Sequence, residues 1–442
     1  MTLVPERGFF ELYANDPERA DALIFGRRAE VDRRGFLGGA GLAAMGAFVG
    51  ASIPFARFMP SGLIPAAQAQ TPADAPKMLK MDGKADLILL QEKPLNAEAP
   101  AHFLDDAVTP AEKFFIRNNG GVPDPIADAN SWKLVVDGEV NKKLELTLGE
   151  LKRRFKPVTL QLQLECGGNG RSFFTPETRG NQWGHGAVGC AQWTGVPLAE
   201  VLKAAGLKPS AVYTGHYGAD PHLSGDPNRP TISRGVPIKK AMDEHTLIAW
   251  AMNGKPIPQV NGAPLRLVVP GWPGSASQKW VTRIWVRDKV HDGPGMGGFS
   301  YRVTRTPMVP GGKTPETNTR ILESMPVRSV ITNVAHGTEL ATGTRELGLR
   351  GHAWAGEKTV RAVHVSIDYG ATWRATEVLM PRNKYAWQRW RTKIRLPSEG
   401  YYEIWARATD ADGRAQPSVA GNWNPQGYGG NPMHRVAVLV KA

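Results

Sequence analysis

Leu160-Gln161-Leu162-Gln163-Leu164-Glu165-Cys166-Gly167-Gly168-Asn169-Gly170-Arg171-Ser172 is the most informative stretch of the chain. Leucine alternates with glutamine over its first five positions, the period of a half-buried strand. The strand runs straight into a cysteine and a glycine-rich turn. A strand fixes where a thiol sits, and glycines keep side chains out of its approach. Arg171 follows within reach of the same point. A thiolate is a strong ligand for soft or high-valent metals, and coordination removes the thiol proton outright. The same residues also suit two plainer roles, a buried free cysteine or a disulfide with Cys190, the other of the two cysteines.

Two further clusters carry chemistry. Phe114-Phe115-Ile116-Arg117-Asn118-Asn119-Gly120 is an apolar anchor ending in a guanidinium and two amides, which suits an anion and equally a solvated strand end. Asn261-Gly262-Ala263-Pro264-Leu265-Arg266 leads through an apolar strand, 265–269, into Pro270-Gly271-Trp272-Pro273-Gly274-Ser275-Ala276-Ser277-Gln278-Lys279-Trp280. A proline- and glycine-rich loop with free backbone N–H groups and a lysine suits a phosphate. Neither a Walker loop nor a dinucleotide fingerprint is present, because neither spacing occurs.

The wider composition narrows the class. The chain has 442 residues, enough for two or three domains and a sizeable core. With 49 glycines and 35 prolines it predicts a loop-rich, strand-rich fold and not a helical bundle. Two cysteines exclude a disulfide scaffold and a cysteine-ligated zinc site, and no Cys-x-x-Cys-His run exists for a c-type haem. The net charge of +13 admits nucleic acid, a membrane surface, an acidic protein or a small anion.

Arg33-Arg34-Gly35-Phe36-Leu37, a mildly apolar run over 38–53 and Ala67-Gln68-Ala69 resemble, in that order, a twin-arginine export signal with its cleavage site. Residues 1–69 are therefore assigned as leader, and the protein as periplasmic. They hold seven arginines and seven acidic residues, so the positive balance belongs to the mature chain. Residues 70–105 read as an irregular polar lead-in. Over 106–310 short strands (132–136, 158–164) mix with short helices (197–205, 239–250), and 293–298 with 307–314 read as a linker region. After about 320, short alternating strands at 360–368, 373–378, 387–396 and 399–408 suit a small β-sandwich.

The three clusters, in this order and spacing, resemble the sulfite oxidase family of molybdopterin enzymes over roughly residues 80–442. The matching segments are Phe115–Asn118, Cys166–Arg171, Gly186–Gly195 and Gly274–Trp280, with Asn422-Trp423-Asn424-Pro425-Gln426-Gly427 near the end. The resemblance implies an α+β fold: a molybdopterin-binding catalytic domain over 70–310, then an immunoglobulin-like dimerisation domain over 311–442. It implies that Cys166 ligates molybdenum, that Arg117 and Arg171 hold the anion, and that Trp183 shapes the pocket. It also places Arg117, Asn118, Asn119, Arg234, Asn261, Arg266, Ser277, Gln278 and Lys279 on the cofactor. The family's histidines are replaced by Asn119 and Asn261, its catalytic tyrosine falls at Ile232, and its third pocket arginine is Gln426. Tyr213 or Tyr217 is a candidate stand-in for that tyrosine; His216 and His185 are candidate pocket residues.

The implied activity is oxidation of sulfite to sulfate by a homodimer. The cofactor is molybdenum-molybdopterin, with no haem in this chain and electrons passing to a separate c-type cytochrome. Sulfane dehydrogenase, a subunit of thiosulfate-oxidising complexes, is the alternative within the family. Methionine sulfoxide reductases are disfavoured by the terminal sandwich, and a metal-free polyanion-binding module is the non-enzymatic rival. Nucleic acid is set aside as a partner.

Overall fold

The structure, a computed structural model, describes residues 76–441; the export leader expected at 1–69 lies outside the described residues. Two domains follow one another, both built mainly of strands.

The first domain holds two larger sheets. In one, Leu144–Thr147, Lys133–Gly138, Val281–Arg287 and Tyr213–Gly218 lie side by side, with Val281–Arg287 parallel to Lys133–Gly138. In the other, Val158–Glu165 pairs with Val188–Pro197, which pairs with Leu247–Met252, and Arg266–Val268 joins the same strand. The helix Leu198–Ala205 buries Leu198, Val201 and Leu202. Those side chains share one apolar cluster with Leu134, Val136, Ile248, Leu267 and Ile284, so the helix and both sheets are fastened by a common core.

Two expectations are corrected. The helix read over 239–250 is a single helical turn, Ile238–Ala241, followed by the strand Leu247–Met252. Leu247, Ile248 and Ala249 are fully buried. A strand covered on both faces is apolar at successive positions, so its sequence lacks the alternation that would separate it from a buried helix. The lead-in is also more ordered than its polar composition suggests. Ile88–Gln91, Asn96–Glu98 and Ile116–Arg117 form an antiparallel three-stranded sheet, and this is what brings Arg117 to its place. The segments 293–298 and 307–314 hold no strand, as read; Arg302–Thr304 between them pairs with Thr319–Ile321 beyond them.

The second domain is a two-sheet sandwich. Arg328–Ile331, Glu346–Trp354, Gln388–Arg395 and Glu377–Val378 form one sheet. Thr338–Leu340, His434–Val440, Gly400–Asp410, Val360–Ser366 and Arg374–Ala375 form the other. Val363, Val365, Trp390, Ile394, Ile404, Ala406 and Val438 fill the space between them, as alternation in the sequence predicts. Among the described residues no helix is long and apolar enough to cross a membrane.

Candidate functional site

The Val158–Glu165 strand delivers Cys166 to the wall of a cleft of about 650 Å3, open mouth included. Its backbone N–H donates to the Ala187 carbonyl on the neighbouring segment, and its side chain is nearly covered. Both cysteines are free thiols, so the disulfide reading gives way. Cys190 packs in a different apolar cluster, where burial pushes its thiol up to about 12 and leaves it inert.

The rest of the lining joins the three sequence clusters. Arg117, Asn118, Asn119, Asn261, Arg266, Ser277, Gln278 and Lys279 all face the cleft, together with Phe114, Phe115, Asp220, Ile232 and Tyr301. Internal bonds hold this set in shape. Arg117 donates to Asn119 Oδ1 at 2.6 Å and to the Asn118 carbonyl. Arg266 donates to the carbonyls of Asn261 (2.7 Å) and Ser277 (3.2 Å). Lys279 donates to the Val260 carbonyl at 2.9 Å and to Asn118 Oδ1. Behind them, Lys84 bonds Asn261 Oδ1 at 2.9 Å; its place in the polar lead-in concealed this role.

Charge in the cleft is unbalanced. Arg117, Arg266 and Lys279 line it, whereas Asp220 is the one carboxylate among the described lining residues. Burial therefore lowers Arg266 to about 9 and Lys84 to about 7. Burial, then the nearby Arg266, pushes Lys279 well below the usual lysine range. Burial also works against the charge on Arg117, but Tyr301, Cys166 and Tyr428 beside it hold its proton above the ordinary value. Four polar atoms in the lining are buried without a partner: Asn118 Nδ2, Arg266 Nε, Ser275 Oγ and Gln278 Oε1. Orphaned donors and acceptors beside excess positive charge describe a receptacle for a polar, anionic group. No cluster of three or more His, Cys, Asp or Glu occurs among the described residues, so a metal at Cys166 would bring its other ligands with it.

Known proteins share this arrangement. Residues 119–294 match the oxidoreductase molybdopterin binding domain, and residues 319–441 match the Mo-co oxidoreductase dimerisation domain. Sulfite oxidase of Gallus gallus is 32% identical over 355 residues, covering 78% of this chain and 76% of that protein. This chain belongs to the sulfite oxidase family. Mitochondrial sulfite oxidase of Homo sapiens is 33% identical over 79% of this chain but 65% of its own length. The sulfane dehydrogenase SoxCD from Paracoccus pantotrophus superposes with a TM-score of 0.66 at 25% identity, covering 83% of this chain and 90% of that one. The cofactor is molybdopterin with its molybdenum, and the receptacle fits it: a thiol for the metal, and cations and unpaired amides for the pterin and its phosphate.

Other expected site residues lie elsewhere. Arg171 is buried outside the lining: its Nε donates to the Gln426 carbonyl at 2.8 Å and its Nη1 to the Asn181 carbonyl at 2.9 Å. Trp183 is fully buried in the apolar cluster that includes Cys166, Phe114 and Phe115, and does not line the cleft. Arg234 is buried with its Nη1 on the Gly295 carbonyl at 2.6 Å. His216 contacts Thr214 Oγ1 at 2.8 Å and the Ala276 carbonyl at 3.2 Å, bracing the 274–280 loop from behind. His185 packs against His434 of the second domain.

Tyr213 and Tyr217 do not line the cleft; Tyr301 does. It follows directly on the glycine-rich segment read as linker, which hid it. Tyr428 stacks on it and lies one residue past the matching Asn422–Gly427 segment. The glycines after Cys166 also serve a purpose other than clearing the thiol. A Cβ on Gly168 would fall 2.6 Å from the Arg171 guanidinium, and one on Gly170 (φ +81°) 2.5 Å from the Gly430 carbonyl of the second domain. Both make room for the protein's own packing.

Glu98 anchors the segment opposite. Its carboxylate accepts from the N–H groups of Gly184 (2.8 Å) and Gly186 (3.0 Å), and burial raises it to about 7. A carboxyl raised in the fold binds its proton more tightly there than in the unfolded chain, so its contribution to stability is lost as pH rises from about 4.5 towards 7. Melting temperatures of wild type and Glu98→Gln should show this directly: the advantage of wild type is expected to shrink between pH 4.5 and 8. A constant difference would contradict it.

Proposed function

We propose that this chain oxidises sulfite to sulfate in the periplasm and passes the electrons to a separate c-type cytochrome. The reaction is sulfite plus water to sulfate, two protons and two electrons. The observation that carries the reading is the Cys166 thiol in the same cleft as Arg117 and the unpaired cations of the cofactor receptacle. Cys166 would ligate molybdenum. Asn118, Asn119, Asn261, Arg266, Ser277, Gln278 and Lys279 would hold the pterin and its phosphate. When bound, the cofactor accepts the electron pair and supplies the oxygen that the sulfur gains. Arg117 binds and orients the anion and stabilises charge developing on its oxygens. Phe115 and Ile232 limit water in the cleft. The net positive charge of the chain favours encounter with sulfite and with an acidic face of the acceptor. The paired arginines of the leader support export, and the terminal domain supports a homodimer.

Oxidation of a sulfane sulfur is the second reading, favoured by the likeness to the sulfane dehydrogenase. Reduction of ferricyanide or cytochrome c by the molybdenum-loaded protein decides between them. Turnover with sulfite is expected; a fully loaded protein that is inactive with sulfite rules out the first reading.

A further inference from the structure

One short turn carries the cations of the receptacle. Each carbonyl of Gln259–Asn261 accepts from a side chain of the neighbouring segments: Gln259 from Trp280 Nε1 at 3.0 Å, Val260 from Lys279 Nζ at 2.9 Å, and Asn261 from Arg266 Nη1 at 2.7 Å. The residue after the turn lets the lysine come close, since a Cβ on Gly262 would fall 2.9 Å from Lys279 Cγ. Where this turn sits therefore decides where Arg266 and Lys279 sit.

Lys84 holds the turn from behind. Its Nζ donates to Asn261 Oδ1 at 2.9 Å, 177 residues away along the chain, and to the carbonyls of Ala111 (2.7 Å) and Phe114 (2.9 Å). An ammonium has three donors, so none is left for a ligand. The Asn261 amide is oriented as a result, with Oδ1 on the lysine and Nδ2 on the Phe115 carbonyl at 3.2 Å. One side chain thus ties the segment that leads into Arg117 to the turn that carries Arg266 and Lys279. Every oxygen that Lys84 bonds is uncharged, and burial works against its charge. Such a placement beside two further cations costs the fold stability, which an anionic group entering the cleft offsets.

We propose that Lys84 is a positioning residue of the cofactor receptacle: by locking Asn261 and the turn it ends, it sets Arg266 and Lys279 for the phosphate of the pterin and slows the cofactor's escape. The inference rests on the assignment of this cleft to molybdopterin and not on the choice of sulfur substrate. A receptacle already in its bound shape orders fewer groups when the ligand enters, so the lysine acts on retention without touching the ligand.

The test follows pterin release from the full-length, molybdenum-loaded protein, by fluorescence of the oxidised pterin that stays with the chain through repeated gel filtration. Lys84→Met keeps the aliphatic stem and removes the ammonium. It is expected to release pterin about tenfold faster than wild type, the lower end of the roughly 10–100-fold typical when the group behind a metal ligand is removed. Asn261→Leu should release it at least as fast. The double variant should match Asn261→Leu to within about twofold, because the lysine works through that amide. Lys84→Met releasing at the wild-type rate overturns the proposal. So do two effects that multiply in the double variant, which assign the lysine to the Ala111 and Phe114 carbonyls alone. Should Lys84→Met fail to fold, Lys84→Gln takes its place in the same cycle with the same readings. Wild type that holds no pterin overturns the cofactor assignment along with the proposal, whereas pterin retained without sulfite turnover bears on the substrate alone, so the failures are distinguishable.

Discussion

Cys166→Ser is expected to fold normally and to lose molybdenum-dependent turnover. The change replaces one sulfur by oxygen at a nearly covered position whose backbone bond to Ala187 is untouched. The surrounding cluster of Phe114, Phe115, Leu164 and Trp183 keeps its volume to within a single atom, so the melting temperature should move little. On the proposed assignment the metal would lose its protein thiolate, and among the described residues no cluster of alternative ligands stands nearby. Disturbing a group that only supports a metal ligand typically costs about 10–100-fold, so removing the ligand itself should cost more. Molybdenum-to-protein ratio, steady-state turnover and a thermal melt measured together check this. Serine retaining a large share of turnover would remove Cys166 from the metal site.

Arg328→Ala is expected to be the most destabilising single change near the site. Arg328 comes from the second domain and is 1% exposed. Its Nε lies 2.6 Å from Oε1 of Glu165, the buried residue immediately before Cys166. It also donates to the carbonyls of Asn169 and Gly430. Glu165 is held further by Asn169 Nδ2 at 2.9 Å and by Trp354 Nε1 at 2.8 Å. Removing the arginine strands a carboxylate and two carbonyls in the interior. Breaking a buried ion pair by deleting one partner typically costs about 3–5 kcal/mol. Urea unfolding of the Arg328→Ala protein should show a loss of that order, and molybdenum content should fall because the turn carrying Cys166 is no longer pinned. Adding Glu165→Gln to the same chain should recover part of the loss, since the stranded charge is then gone. A double variant no more stable than the single one would show that the arginine acts through the two carbonyls and not through Glu165.

Both predictions concern one turn, and they divide what could be read in advance from what could not. The strand into Cys166, the glycine turn and the loop ending at Lys279 were legible because each is local. Alternation, turn residues and a short run of donors are written in consecutive positions. The sandwich was legible for the same reason, its strands alternating across one buried face. The strand Leu247–Met252 was not, since burial on both faces erases the alternation.

The sequence alone determined the chemistry at the centre: a thiol after a strand, an Arg117–Asn118–Asn119 run and a lysine-bearing loop, in the order that marks the family. Only the tertiary structure decided which groups stand in the cleft. It turned Arg171 onto Tyr428 and the Gln426 carbonyl, placed Trp183 in the core, and brought Tyr301 to the cleft that Arg117 lines. It also set Arg328 against a turn whose Asn169 carbonyl is 159 residues away along the chain. Contacts at such separations follow from how two domains pack, and no period or spacing in the sequence records which partner a buried side chain will meet.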